Sequence, residues 1–206
     1  MLKRPILFFS PGFMLMEYLF AFAIGAILCI CINKSYPYVI QMLTQAYQQY
    51  RLDIFLRGRL IVLETQLRRA GYCNGKCQPI SPIKLIEKSH HSYLTCVIFI
   101  YDMNSNGRWE PISSKESEYF GFRLKNGQLE HVRGVDDCQS SGWQKFFDSN
   151  EIHVTEFIIK SYSERHPIKQ TPFFYLSLSL KLELKQNPAV KSHYEARIAL
   201  RNISYL

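Results

Sequence analysis

The chain has 206 residues, 47% of them hydrophobic and 20% charged, the size and make-up of one ordinary domain. Low charge, 14% aromatic residues and ordinary Gly and Pro counts exclude disorder, collagen and a simple coiled coil. Lys plus Arg (25) outnumber Asp plus Glu (17), a net +8. The basic residues nevertheless occur singly rather than in an aromatic-interleaved patch, so no nucleic-acid partner is expected.

Apolar content is concentrated near the N-terminus. Phe13 to Ile32 reads FMLMEYLFAFAIGAILCICI, 20 residues that as a helix rise about 30 Å, the hydrocarbon thickness of a bilayer. Asn33, Lys34 and Pro37 close the run, while Lys3 and Arg4 before it favour an N-in, C-out orientation. Everything after residue 33 would then face an extracytoplasmic compartment. A cleaved signal peptide would need a small-x-small site, but the run ends Leu28-Cys29-Ile30-Cys31-Ile32. A lipoprotein would need small residues before its cysteine, and Cys29 follows Ile27-Leu28. A plain anchor accounts for the length and leaves Glu17 unexplained. A carboxylate in such a span costs about 2.5 to 3.5 kcal/mol at the bilayer centre and less toward its edge.

Gly12 stands directly before Phe13-Met14-Leu15-Met16-Glu17, an apolar residue after Gly and a Glu at the fifth place. This resembles the processing site of type IV prepilins. The resemblance implies that residues 1–12 are a leader, that a prepilin peptidase cuts after Gly12 and methylates Phe13, and that Glu17 is the assembly residue. In that family the Glu pairs with the free N-terminal amine of a neighbouring subunit. The physics agrees: a buried carboxylate needs a cation, and an ammonium among apolar helices needs an anion. The leader departs from the family pattern in that Ile6 to Phe9 is apolar and Ser10-Pro11 precedes Gly12.

Between Tyr47 and Ala70, apolar residues recur at Leu52, Leu56, Leu60, Leu63, Leu67 and Ala70, in steps of 4, 4, 3, 4 and 3. That is the period of an amphipathic helix. Arg68 and Arg69 in the last turn and Gly71 at the cap position mark its end. Pro37 is expected to kink or interrupt the segment. Two arrangements are therefore open: nearly continuous helix over 13–70, or an anchor, a linker at 33–46 and a separate helix.

Past Gly71 the period switches to two. Strands are expected at Leu94–Tyr101, Tyr119–Leu124, Gln128–Arg133, Ile152–Lys160, Phe173–Leu184 and Tyr194–Ile203. Asn126-Gly127 between the second and third is a hairpin signal. Strand runs joined by short turns imply an antiparallel sheet, so the fold class is α+β, with the long N-terminal helix packed on a β-rich head at 71–206.

Cys29 and Cys31 lie in the apolar run and read as small apolar residues. Cys73, Cys77, Cys96 and Cys138 remain, an even set that implies disulfides outside the cytoplasm. Three connectivities exist; Asn74-Gly75-Lys76 can turn tightly, which favours Cys73 with Cys77 and Cys96 with Cys138. Zinc would want better spacing than Cys-x3-Cys with two distant single cysteines. Asp102, Asn104, Asn106, Gly107 and Glu110 resemble the first half of a calcium loop, with oxygens at alternate positions and Gly at the sharp turn. The twelfth place is Ser113 in lieu of the closing Glu, leaving Glu110, Glu116 or Glu118 to substitute; a polar turn between strands explains the same residues and is favoured. His90-His91 reads as a solvated pair. No nucleophile elbow, Walker loop, HExxH or paired-carboxylate motif occurs, so no enzyme and no other cofactor is expected.

Further segments sharpen the resemblance: Arg69-Ala70-Gly71-Tyr72-Cys73-Asn74-Gly75-Lys76-Cys77, then Asp102 to Trp109, Gly121-Phe122-Arg123-Leu124, Arg133-Gly134, Cys138 and Gly142-Trp143. Their order is similar to that in the minor prepilins of the prepilin peptidase-dependent protein B family, related to the J-type pseudopilins of type II secretion. The resemblance implies a non-enzymatic subunit of the inner membrane with a periplasmic head. Its partners would be prepilin peptidase, other minor pilins and the major pilin, in a complex that primes type IV pilus assembly and caps the tip. A type II secretion pseudopilin, or a membrane-anchored periplasmic binding protein that never polymerises, are the alternatives.

Overall fold

The computed structural model describes residues 11–78, 80–87, 94–165 and 172–203. Residues 1–10 of the leader expected at 1–12, with Lys3 and Arg4, and the His90-His91 pair lie outside the described residues. The fold is one long helix followed by strands, the α+β class expected: α1 (Pro11–Arg69), β1 (Ile83–Glu87), β2 (Leu94–Ile100), β3 (Tyr119–Lys125), β4 (Gln128–Arg133), β5 (Gln144–Lys145), β6 (Ile152–Arg165), β7 (Pro172–Leu184) and β8 (Lys191–Leu200). Helix α1 has 59 residues and contains Pro37 within it, so of the two arrangements left open the nearly continuous helix is found and the linker at 33–46 is not. A proline deprives only one carbonyl, four residues back, of its partner, and the ladder on both sides carries the segment through.

The chain divides into two units, Met1–Tyr47 and Gln48–Leu206. In the second, the helical residues from Gln48 onward belong with the sheet. Leu52, Leu56, Leu60, Leu63, Leu67 and Ala70 are all buried there, the run that the heptad-like spacing picked out. They share one core with Val97 and Phe99 of β2, Phe122 of β3, Phe157 and Ile159 of β6, and Leu176, Leu178, Leu180 and Leu182 of β7. Each buried leucine contributes about 1.5 to 3 kcal/mol of transfer free energy. Alternation divides the two faces of β7: its leucines face the helix, and Ser177, Ser179 and Lys181 take the other side.

The strands among the described residues form one antiparallel sheet in the order β5-β4-β3-β2-β6-β7-β8, with β1 added on β2. Asn126 (φ 50°) and Gly127 (φ 69°) both take the left-handed conformation and set the register Lys125↔Gln128 in the β3–β4 hairpin. A Cβ on Gly127 would also strike the His153 ring at 2.1 Å, so glycine is required twice over. The helix ends as its sequence predicts. Gly71 has φ 79° and donates its N–H to the Ile100 carbonyl at 2.8 Å, tying the cap to β2.

Polar clips hold this half of the helix to β8. Gln49 donates to the Lys191 carbonyl (2.7 Å), Ser192 donates to Asp53 (2.6 Å), and the Tyr194 hydroxyl donates to Glu64. Burial, then the Glu64 carboxylate, pushes the Tyr194 phenol up to about 12. The folded-state value lies above the ordinary one, so the stability this bond contributes is complete below about pH 10 and is lost as pH rises toward 12. In urea titrations across that range the parent should lose stability more steeply than Tyr194→Phe; parallel slopes would refute the clip.

Candidate functional site

Two regions carry chemistry. The first is the N-terminal part of α1, taken by itself. From Leu15 to Leu43 nearly every side chain is exposed, including Leu19, Phe20, Phe22, Ile24, Ile27, Leu28, Ile30 and Ile32. The helix is long and apolar enough to cross a membrane, and is consistent with a single-pass anchor. Two polar side chains just past the apolar run turn inward on the ladder: Asn33 donates to the Cys29 carbonyl and Thr44 to that of Ile40, both at 2.8 Å. Glu17 lies within the run itself. It is exposed on the helix and has no ion-pair partner among the described residues. Gly12 and Phe13 lie in the first turns of α1, whose helix starts at Pro11, two residues before the expected start.

The second region is the pair of loops that follow α1 and β2. Cys73 is bonded to Cys77 and Cys96 to Cys138, the connectivity the tight Asn-Gly-Lys turn favoured. Cys29 and Cys31 are free and exposed on the helix. The small disulfide loop lies directly on the Asp102 loop. A Cβ on Gly75 would come within 2.9 Å of Gly107 Cα, and Asn74 donates its N–H to Asp102 (3.0 Å) and its amide to the Ser105 carbonyl (3.0 Å). Trp109 Nε1 donates to the Tyr72 carbonyl at 3.0 Å, closing the same joint.

The oxygens named for a cation are engaged within this loop. Asp102 accepts from the N–H groups of Asn106, Gly107 and Asn74, Asn104 Oδ1 accepts from Asn106, and Asn106 Oδ1 accepts from Arg108. Burial pushes the Asp102 carboxyl up, but backbone donors from Asn74, Gly107, Asn106 and Ser105 outweigh it and hold it below the usual range. Glu110 accepts from the Asn106 amide at 2.5 Å. Glu118, completely buried, accepts from the N–H groups of Met103 and Asn104 and stands beside Glu110, and burial raises its carboxyl. These bonds close the segment as a turn between β2 and β3. Among the described residues no group of three or more His, Cys, Asp and Glu is arranged to hold a metal ion.

Sequence reasoning passed over the Cys96–Cys138 surroundings. That disulfide, with Ile86, Ile98 and Trp143, makes a small second core on the face of the sheet away from α1. Arg123 stacks over Trp143 (4.3 Å to the ring centroid), pairs with Glu130 at 2.7 Å and donates to the Cys138 carbonyl. Gly121 leaves room for the indole, since a Cβ there would meet it at 2.8 Å. The Gly121 and Gly142-Trp143 pairing was the signal available in the sequence. A cleft of about 470 Å³ lies between helical residues Gln48–Phe55 and Glu151, Ile152, Leu184 and Gln186, with Arg51 and Glu151 as its charged members.

Comparison with known proteins places this architecture. The family described as Prepilin peptidase-dependent protein B matches residues 45–200, the span from the buried part of α1 through β8. A curated relative, Prepilin peptidase-dependent protein B of Escherichia coli (strain K12), is 32% identical over 148 residues, covering 72% of this chain and 76% of the relative. No solved structure matches the chain. On the family match and on this relative, the chain belongs to the prepilin peptidase-dependent protein B family.

Proposed function

We propose that the protein is a minor prepilin: a non-enzymatic, membrane-anchored subunit that is processed by prepilin peptidase and primes assembly of a type IV pilus, where it stays at the tip. The observation that carries this is a single residue in context. Glu17 is the lone carboxylate in the exposed apolar stretch of α1 from Leu15 to Leu43, at the fifth place after Gly12, in a chain whose remainder belongs to a prepilin peptidase-dependent family. A carboxylate in that setting is stable when a cation reaches it, and the amine freed by cleavage after Gly12 is the cation such a chain generates. Methylation of that amine at Phe13 keeps its charge. The head would lie in the periplasm, where Cys73–Cys77 and Cys96–Cys138 form and persist. Its partners would be other minor pilins and the major pilin. The related reading, a J-type pseudopilin of type II secretion, uses the same helix and the same glutamate.

The mature N-terminus tests the proposal. Mass spectrometry of the protein recovered from membranes should give a chain beginning at N-methylated Phe13. An intact Met1, or an unmethylated end elsewhere, would overturn it.

A further inference from the structure

The sheet ends on β8, and that strand has an open edge. Its register on β7 runs without a shift from Glu183↔Lys191 to Phe174↔Leu200, and one step earlier Leu184 donates its N–H to the Val190 carbonyl at 3.1 Å. In an antiparallel pair, alternate residues turn both backbone groups toward the neighbour. The backbone groups of Ser192, Tyr194, Ala196, Ile198 and Leu200 therefore face β7, and those of Lys191, His193, Glu195, Arg197 and Ala199 face away. A contact with the helix gives the same parity independently: the Lys191 carbonyl is taken by Gln49 of α1. From His193 to Ala199, four N–H and four carbonyl groups point outward, and no strand among the described residues pairs with them.

Sheet margins are normally covered, bent or guarded by charge, and this one is not. The edge of β4 is covered by β5, and β1 breaks its register on β2 between Ile86 and Glu87. β8 holds ten residues without proline or shift. Its long cationic side chains turn back over β7 instead of guarding the edge. Lys191 pairs with Glu183 at 3.7 Å, and Arg197 lies over the Tyr175 ring at 4.4 Å and donates to its hydroxyl at 2.7 Å. Glu195 is left as the exposed charge, its side chain 71% accessible, with His193 of the same strand beside it. On the opposite face Tyr194, Ala196 and Ile198 join the core beneath α1. A strand laid on this edge continues both faces, so its side chains beside Tyr194, Ala196 and Ile198 should be apolar, and one opposite Glu195 should be Lys or Arg.

A second copy of this chain cannot take that place. Two β8 edges bond symmetrically only as antiparallel strands, related by a twofold axis normal to the sheet. Rotation about such an axis reverses every direction in the plane of the sheet, so the two α1 helices, each lying on its sheet, would run antiparallel. Their Gln48 ends, to which the apolar halves of α1 are joined, would then lie at opposite ends of the pair. Chains anchored in one membrane must leave it in the same direction. We propose that the β8 edge takes up an extended segment of a different chain as an added strand from His193 to Ala199, apolar on the α1 side and basic opposite Glu195. Main-chain bonds hold such a segment, and alternate side chains select it. The proposal goes beyond the assembly role, adding a docking edge on the sheet that makes no use of Glu17.

Hydrogen exchange on the purified full-length chain in detergent reads the edge first. The amides of His193, Glu195, Arg197 and Ala199 should exchange roughly a hundredfold faster than those of Tyr194, Ala196 and Ile198, and uniform protection along β8 would overturn the proposal. The occupant is read in the chain's own membrane, with a photo-crosslinking side chain at position 193 or 197 and, as the control, at Lys160 on the outer face of β6. Cross-links from 193 and 197 should map by mass spectrometry to points about four residues apart on one segment of a different chain, with Lys or Arg between them. Cross-links confined to self, scattered over a partner without that spacing, or no more abundant than from position 160 would each overturn it. Glu195→Pro removes one outward N–H and no bond to β7, so it should unfold thermally close to Glu195→Ala. The cross-link yield from position 197 should nevertheless fall roughly tenfold below that of Glu195→Ala, about the worth of one hydrogen bond. Ala196→Pro, which does remove a bond to β7, should unfold at a lower temperature. Equal yields in Glu195→Pro and Glu195→Ala, or unfolding of Glu195→Pro as early as Ala196→Pro, would overturn the edge assignment. Failure of the assembly role is read separately, as normal assembly when Glu17 is neutralised, whereas the exchange pattern along β8 tests this proposal alone.

Discussion

Replacing Glu17 with alanine should leave cleavage after Gly12 intact and reduce assembled pilus by at least tenfold in a strain without a redundant minor pilin. Breaking a buried ion pair by removing one partner costs about 3 to 5 kcal/mol, which exceeds tenfold in any equilibrium that depends on the pair. Two trivial explanations work in the opposite direction. Alanine is the best helix former, so α1 is not weakened, and removing a carboxylate from an apolar span makes membrane insertion easier. Loss of assembly with normal processing and normal membrane content would therefore trace to the missing charge. Glu17→Gln keeps the shape and the hydrogen-bonding capacity, and should fail nearly as badly as alanine. Piliation at the parent level in either variant would overturn the role given to Glu17. The measurement is sheared-pilus yield set against the amount of mature protein in the membrane.

Much of this molecule is legible in the sequence because its periods are clean. The leucine run from Leu52 to Leu67 reads at 3.6 residues per turn and is the buried face, and β7 alternates without error from Leu176 and buries its leucines against that face. The Asn126-Gly127 turn could be placed from two residues because both must take positive φ. Other parts owe their structure to neighbours. β1 is a short run whose strand character comes from its register on β2, Ile83 opposite Phe99 through Ile86 opposite Cys96. β5 is two residues, Gln144 and Lys145, held by β4. β6 runs on from Lys160 to Arg165 through exposed residues with no apolar alternation, since pairing with Pro172 to Leu176 of β7 supplies the bonds. β8 starts at Lys191 and ends at Leu200, three residues earlier at each end than its alternation suggested.

The two disulfides should differ in what they hold. Removing Cys96–Cys138 by paired Cys→Ala substitution should lower stability by about 4 kcal/mol, and removing Cys73–Cys77 by about 2 kcal/mol, from the loop-closure entropy each withholds from the unfolded chain. The sequence separations are 42 and 4 residues, and the entropy grows with their logarithm. Packing widens the gap. Cys96 and Cys138 are both buried, in the small core with Ile98 and Trp143, so their loss also loosens the indole on which Arg123 stacks. Cys73 and Cys77 are only partly buried, and the loop they close keeps its own fastenings, the Asn74 bonds to Asp102 and Ser105. Urea unfolding of the purified chain should thus show the larger midpoint shift for Cys96→Ala/Cys138→Ala, with intrinsic fluorescence of Trp143 altered in that variant before unfolding begins. Equal shifts, or the larger one at Cys73–Cys77, would mean that the turn between α1 and β1, rather than the core under Trp143, limits the stability of the head. If assembly joins this chain to partners through its helix, the buried disulfide is the one that should matter after export, because it fastens the sheet on which that helix is mounted.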